Sequence, residues 1–168
     1  MQFKTPEEFH NRLGFIFHAI LAVPLAVFVY LFLEIKNRGM EPSLQNGQEA
    51  WLLIVSITVI SFLMVFISYR HFRKGLRSVH QLSSLKEKLP PYFTHLLKFY
   101  AVIEGSSLLM ILGLYLTTSS VFIVGYMFLL LVLSLNRPTP QKYVKDLNLT
   151  KEESDIVLLK KDFPLNEQ

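Results

Sequence analysis

The sequence contains no cysteine and has few charged residues for its length. Only 18% of its 168 residues are charged, whereas 51% are hydrophobic, and a soluble domain usually has about 25% charged residues. The lack of cysteine excludes disulfides, thiol catalysis and cysteine metal sites. A glycine-rich phosphate loop, a nucleophile–base pattern and metal-ligand spacings are missing as well. We therefore expect no enzymatic activity, no cofactor and no metal site.

Charged residues are almost absent from four long blocks. Residues 13–33 and 51–69 carry none, residues 99–117 carry only Glu104, and residues 121–135 carry none. About 20 helical residues cross a hydrocarbon core roughly 30 Å thick, so these blocks predict an all-α membrane protein built as a four-transmembrane-helix bundle. The first block is longer than the roughly 7–15 residues of a signal-peptide core and precedes no Ala-x-Ala-like site, which favours a retained span.

The same pattern divides the chain into two parts. Residues 1–136 are expected to form the membrane bundle, and residues 137–168 a cytoplasmic tail with short amphipathic helices. In the tail, Thr139-Pro140 and the capping-box sequence Thr150-Lys151-Glu152-Glu153 predict the starts of two short helices. The four spans are expected near 13–33, 51–69, 97–117 and 119–136.

The basic residues predict how the bundle is oriented. Of 17 lysines and arginines, 15 fall near the N-terminus, between Arg70 and Lys98, or after residue 136, and four spans put these segments on one side. Because loops rich in lysine and arginine face the cytoplasm, both termini are expected there. Topology then accounts for the basic composition, so the lipid bilayer is an expected partner and nucleic acid is not.

Residues 70–89 alternate basic and apolar positions. Four apolar residues recur every three positions with basic residues between them, which predicts an amphipathic helix lying along the inner headgroup surface and ended by Pro90-Pro91. A docking surface for a protein partner is the alternative. The apolar residues are Leu76, Val79, Leu82 and Leu85. The predicted lipid or partner surface comprises Arg70, Arg73, Lys74, Arg77 and Arg137.

A polar layer is expected inside the membrane around Glu104, the one charge within a block. Counting about 1.5 Å per residue from the basic ends places one polar residue of each span roughly 9–16 Å from the cytoplasmic face. Small residues at helical spacing, typical of close helix contacts, lie on the same helix faces. The predicted intramembrane polar site consists of Glu104, His18, Ser61, Ser107 and Tyr126.

Three roles are open for Glu104, because a carboxyl group within a membrane is protonated, paired or facing water. It pairs with His18 and fixes the helix register, it binds a proton, a cation or a cationic ligand, or it contacts a helix of another subunit. A bis-histidine haem site, which would use His18 with His95 or His71, is a further alternative.

Two stretches carry a resemblance to known proteins. They are KFYAVIEGSSLLMILGLYLT at 98–117 and LNRPTPQKYVKDLNLTKEE at 135–153. With Glu104-Gly105 in a span and Arg137-Pro138-Thr139 after the last span, the chain resembles an uncharacterised family of small four-span inner-membrane proteins of the Bacteroidota type. The resemblance covers mainly the second half of the chain. It implies a multi-pass protein of a bacterial inner (plasma) membrane, and it implies no activity.

Together these features predict a non-enzymatic role. We expect an integral membrane protein that acts as a structural or accessory component of a membrane assembly, with a membrane-protein partner or further copies of itself. The alternative is a small proton- or cation-linked transport protein that uses Glu104.

Overall fold

The computed structural model describes residues 3–44, 47–161 and 163. Within these residues the chain forms six α-helices and no β-strand, which confirms the all-α prediction. The helices are α1 Pro6–Arg38, α2 Gly47–Val79, α3 Leu85–Thr117, α4 Ser120–Leu135, α5 Pro140–Leu147 and α6 Lys151–Leu158.

Three of these helices are long and apolar enough to cross a membrane. Helices α1, α2 and α3 have 33 residues each, or about 50 Å, and the hydrocarbon core requires only about 30 Å. Many of their exposed side chains are large and apolar, among them Phe15 and Trp51. Such helices are typical of a multi-pass membrane protein. Helix α4 has 16 residues and is followed by a bend of 79° into α5, so the fourth span stays a prediction.

Helix α3 is central and packs against α1, α2 and α4. Helix α4 runs antiparallel to α3. Its end lies beside the middle of α3, where the Tyr100 hydroxyl donates a 2.6 Å hydrogen bond to the carbonyl oxygen of Asn136, just after α4. Close packing of this pair needs a glycine, since a Cβ atom at Gly113 would lie 2.4 Å from the ring of Phe122. The two helices therefore form an antiparallel hairpin.

The two ends of the bundle carry different structures. At one end, the connection after α1 contacts α3, where the Leu44 N–H donates to the Leu116 carbonyl oxygen at 3.1 Å. The opposite end, called the tail end below, joins the start of α1, the α2–α3 turn at residues 80–84, and helices α5 and α6. Contacts of α5 and α6 with α1 and α3 hold this end together.

Helices α5 and α6 begin at the predicted caps. The Thr139 hydroxyl oxygen accepts a 3.2 Å hydrogen bond from the Lys142 N–H, and Thr150 and Glu153 form a reciprocal capping box. Each cap satisfies backbone N–H groups that the first helical turn leaves without partners. The prediction of two short helices in the tail is confirmed.

Aromatic side chains fill the core of the tail end. The ring of Phe9 on α1 lies 5.1 Å from the ring of Tyr143 on α5 and 6.0 Å from that of Phe93 on α3, between centroids. All members of this aromatic cluster are buried, so the tail packs as an extra layer on the bundle. The cluster consists of Phe3, Phe9, Phe72, Tyr92, Phe93, Phe99 and Tyr143.

The predicted amphipathic helix at 70–89 is wrong. Helix α2 continues to Val79 and α3 begins at Leu85, so neither segment forms a separate helix along a headgroup surface. The apolar residues of this stretch face the protein core at the tail end. The buried ones are Leu76, Val79, Leu85 and Leu89.

Pro90 and Pro91 do not end a helix either, since both lie inside α3. A proline in a helix removes one backbone hydrogen bond and clashes with the preceding turn. The next two residues, Tyr92 and Phe93, are buried in the aromatic cluster, and this burial outweighs the local preference. Tertiary packing therefore decides where α3 begins.

Candidate functional site

Glu104 lies on the central helix and is half-buried. Among the residues that the structure describes, it makes no hydrogen bond and no ion pair. A carboxyl group on a candidate span thus lacks the partner that a purely structural role would require.

His18 is not that partner. Its ring is exposed, and Nδ1 lies 2.6 Å from the carbonyl oxygen of Gly14 on the same helix. This carbonyl is one turn away, so the histidine satisfies its polar atom locally. The structure does not bring His18 and Glu104 into an ion pair within the described part of the chain.

Of the predicted serines, Ser61 lies at the contact between α2 and α3. Ser61 is 0% exposed, and its carbonyl oxygen accepts a 3.3 Å hydrogen bond from the Ser106 hydroxyl. Ser107 is buried too. The Ser61 hydroxyl has no hydrogen-bond partner in the described chain. Small hydroxyl residues here let the two helices approach closely.

Ser106, the neighbour of the predicted Ser107, bonds to α2 and so indicates how α3 is rotated. Successive helical residues are about 100° apart, so Glu104 lies roughly 200° around α3 from the serine that faces α2. Glu104 therefore points away from α2. The adjacent Ser106-Ser107 pair carried a signal for a close contact, but it did not say which of the two faces the neighbouring helix.

Tyr126 joins α4 to α1. It is 1% exposed, and its ring stacks on that of Phe28 with 4.1 Å between centroids and 15° between planes. The predicted layer is thus divided, because Tyr126 packs on Phe28, the serines are buried, and His18 bonds to its own helix.

An exposed stripe on α3 includes Glu104. Leu108, Leu112 and Tyr115 are each about half exposed, and they lie about one, two and three turns after Glu104. They also line a groove of about 640 Å³ between α1 and α3, with Tyr30 on its other wall. We call Ala101, Glu104, Leu108, Leu112 and Tyr115 the Glu104 stripe.

A second polar site, which sequence analysis missed, lies at the tail end. Asp146 on α5 is 7% exposed. Its Oδ2 accepts a hydrogen bond from the Tyr92 hydroxyl at 3.0 Å and lies 3.0 Å from the Lys142 ammonium. Its carbonyl oxygen is 2.7 Å from Nε2 of His80. The Lys142–Asp146 spacing of one turn was visible in the sequence, but its burial was not.

Two further contacts fasten the tail. The Lys88 ammonium on α3 donates a 2.7 Å hydrogen bond to the Glu153 carboxylate on α6, and both side chains are largely buried. Burial alone would raise the pKa of Glu153, but the hydrogen bonds from Lys88 and from the Thr150 backbone outweigh it, so this pKa lies below its usual value. On the opposite side, Nδ1 of His10 lies 3.0 Å from the Tyr143 hydroxyl.

Four of the five predicted basic residues, Arg70, Arg73, Lys74 and Arg77, line one pocket on α2. Arg70, Lys74 and Arg77 are exposed along α2, and Arg70 lies 5.9 Å from the centre of the Phe66 ring. Arg73 and Arg137 line one groove between α2 and the α4–α5 junction. The structure thus brings together two of the five predicted residues that are far apart in sequence.

Two of the histidines considered for a haem, His18 and His71, each bond to a carbonyl oxygen of their own helix. His71 is exposed, with Nδ1 3.3 Å from the Ile67 carbonyl oxygen, much as His18 bonds within α1. In the described residues, no group of three or more histidine, aspartate or glutamate side chains is arranged to hold a metal ion.

No family model matches the chain, and neither a curated protein nor a solved structure matches it.

Proposed function

We propose that the chain is a four-span protein of a bacterial inner membrane, with both termini in the cytoplasm, and that it serves as a non-enzymatic component of a membrane assembly. The α3–α4 hairpin supports four spans, because α4 with its two caps covers about 27 Å and returns the chain to the tail end. The segments at that end hold 15 of the 17 basic residues, which supports the orientation. The bacterial location rests on the resemblance of Glu104-Gly105 and Arg137-Pro138-Thr139.

The assembly role rests on one observation. Glu104 is half-buried and makes no hydrogen bond or ion pair in the described chain. Charged groups in membranes face a bundle interior, a partner or water, because hydrocarbon does not solvate them. Glu104 points away from α2, on a stripe whose other members are exposed. A group from outside this chain is the partner that such a position calls for.

The Glu104 stripe is shaped to receive a membrane helix. Its apolar residues border the groove of about 640 Å³ between α1 and α3, and Ala101 lets a neighbouring backbone approach the carboxyl group. Charge complementarity favours a helix that carries a hydrogen-bond donor or a basic group opposite Glu104. We propose a helix of another membrane protein as the occupant, and a second copy of this chain is a separate outcome of the test.

Cross-linking in native membranes tests this proposal. The chain has no cysteine, so Leu108→Cys on the Glu104 stripe carries a single photo-reactive maleimide. Leu63→Cys on α2, where Leu63 is 53% exposed, is the matched control. We expect an adduct of one defined mass for Leu108→Cys, its loss when Glu104→Leu is added, and none for Leu63→Cys.

Three results would contradict the proposal. Equal adducts from both cysteines would indicate random collisions in the membrane. An adduct that persists in Glu104→Leu would show that the carboxyl group is not needed for the contact. An adduct of twice the chain mass would identify a second copy as the occupant.

A transport role is the second candidate, and the same carboxyl group favours it. An unpaired, half-exposed carboxyl group on a span can bind and release a proton or a cation. Proton flux into proteoliposomes that hold the purified protein, lost in Glu104→Gln and kept in Ser107→Ala, would favour transport over assembly.

A further inference from the structure

A basic groove lies at the tail end, where α2 and α4 leave the apolar part of the bundle. It has a volume of about 620 Å³, within the range of roughly 300–1,000 Å³ that small-molecule sites occupy. Tyr69 and Arg73 line it from α2, Arg137 from the α4–α5 connection, and Lys142 and Lys145 from α5. Residues distant in sequence thus form one concave surface.

The groove carries a net positive charge. Four basic residues and one acidic residue, Asp146, line it, so the formal balance is 4 − 1 = +3. The ammonium of Lys142 neutralises the charge of Asp146, because it lies 3.0 Å from Asp146 Oδ2. Within the part of the chain that the structure describes, Arg73, Arg137 and Lys145 form no ion pair. Their charges remain available to an anion.

Apolar surface adjoins the basic groove on its bundle side. Leu135, the last residue of α4, is 75% exposed, and Leu131 one turn earlier is 54% exposed. On α2, Phe66 is 57% exposed and Tyr69 is 44% exposed. A ligand that reaches from the groove along these side chains must be charged at one end and apolar at the other.

We infer that this groove binds the headgroup of an anionic phospholipid from the cytoplasmic leaflet. Arg73 and Arg137 bind the phosphate, because a guanidinium group can donate two parallel hydrogen bonds to its oxygens. Lys145 lies at the open edge and adds attraction, while the acyl chains run along Leu131 and Phe66. The inference rests on the proposed four-span placement, which puts the ends of α2 and α4 at the headgroup level, and it does not involve Glu104.

Lipid titration monitored by native mass spectrometry tests the inference on the full chain in mild detergent. The probes are phosphatidylglycerol, which is anionic, and phosphatidylcholine, which is zwitterionic. We expect tighter binding of phosphatidylglycerol, weakened about tenfold or more by Arg73→Gln with Arg137→Gln, since each basic residue near anionic lipid contributes several-fold. Lys145→Gln alone should weaken binding less, and thermal melting of each variant checks the fold.

The control removes the same number of charges from the same region. Lys74→Gln with Arg77→Gln changes two exposed α2 residues that do not line the basic groove and is expected to weaken binding less than the groove pair does. Equal weakening by both pairs, or no preference for phosphatidylglycerol, would overturn the inference. If glycerol phosphate competed with phosphatidylglycerol at equal concentration, the ligand would be the free phosphate and not the lipid, and the inference would be overturned. Glu104→Gln should bind lipid like the wild type, which separates this inference from the assembly proposal.

Discussion

The Tyr92 hydroxyl on α3 donates a 3.0 Å hydrogen bond to the carboxylate of Asp146 on α5, and neither residue is more than 7% exposed. This contact crosses 54 positions of the sequence and joins the tail to the central helix. Lys142 balances the charge of Asp146 at 3.0 Å. A buried carboxylate is stable only with such partners, so the position of the tail depends on this small group.

Removing the charge of Asp146 should therefore destabilise the protein. In Asp146→Asn the half-buried Lys142 ammonium loses its ion-pair partner and keeps the 3.3 Å hydrogen bond to the Asn136 amide oxygen. A loss of about 3 kcal/mol in the free energy of unfolding is expected. Denaturant unfolding in mild detergent measures it. Asp155→Asn on α6, where the aspartate is exposed, is the control and should cost less than about 0.5 kcal/mol. Similar losses in both variants would refute a special role for Asp146.

Acidification should loosen α6 from the bundle. The pKa of Glu153 is lowered in the folded protein, so the stability that its contacts add is present above the ordinary value of 4.5. This stability is lost as the pH falls below that value and through the lower folded pKa. A spin label on Leu158→Cys, an exposed site on α6, should gain mobility over this window.

Two controls separate this loosening from general unfolding. A label at Val55→Cys on α2 should keep its mobility over the same window. Glu153→Gln should make the α6 label insensitive to pH in this range, because the amide does not titrate there. A pH response that persists in Glu153→Gln would assign it to another group.

Gly113 should not tolerate a side chain, whereas Gly105 on the same helix should. A Cβ at residue 113 would lie 2.4 Å from the Phe122 ring, and a Cβ at residue 105 meets nothing within 4 Å. Gly113→Ala is expected to cost about 1–3 kcal/mol through overpacking of the α3–α4 hairpin. Gly105→Ala should stabilise by about 0.5–1 kcal/mol, because alanine is the better helix former. Thermal melting in detergent compares them, and equal shifts would contradict the hairpin packing.

Removing the charge of Glu104 should leave stability unchanged or raise it. In the described chain the carboxyl group has no hydrogen bond or ion pair to lose, and its desolvation is costly. Glu104→Gln keeps the shape of the side chain, so its unfolding free energy measures the charge alone. A loss of about 2 kcal/mol or more would reveal a partner within the chain and would count against the assembly role.

The membrane helices were predictable because a single property specifies them. Long stretches without charge can lie in hydrocarbon, and those at 13–33 and 51–69 fall inside α1 and α2. Caps are equally local, so Thr139 and Thr150 marked the starts of α5 and α6. Features that depend on a few neighbouring residues can be predicted from sequence.

Features that depend on what a helix packs against were not predictable. The recurrence of Leu76, Val79 and Leu85 fits a helix on lipid as well as one on protein, and only their burial in the folded chain decides between the two. The prediction of a polar layer around Glu104 was incomplete for a similar reason. Depth along each helix was countable, but one residue of rotation separates Ser106, which faces α2, from Ser107.

The aromatic cluster also has a consequence for the synthesis of the chain. Its rings come from residues 3–9, 72, 92–99 and 143, so its last member leaves the ribosome long after the first. Until Tyr143 arrives, Phe9 and Tyr92 lack the ring that packs against them, so the early aromatic segments stay partly uncovered during synthesis. The aromatic core of the tail end can therefore close only after α5 has been made.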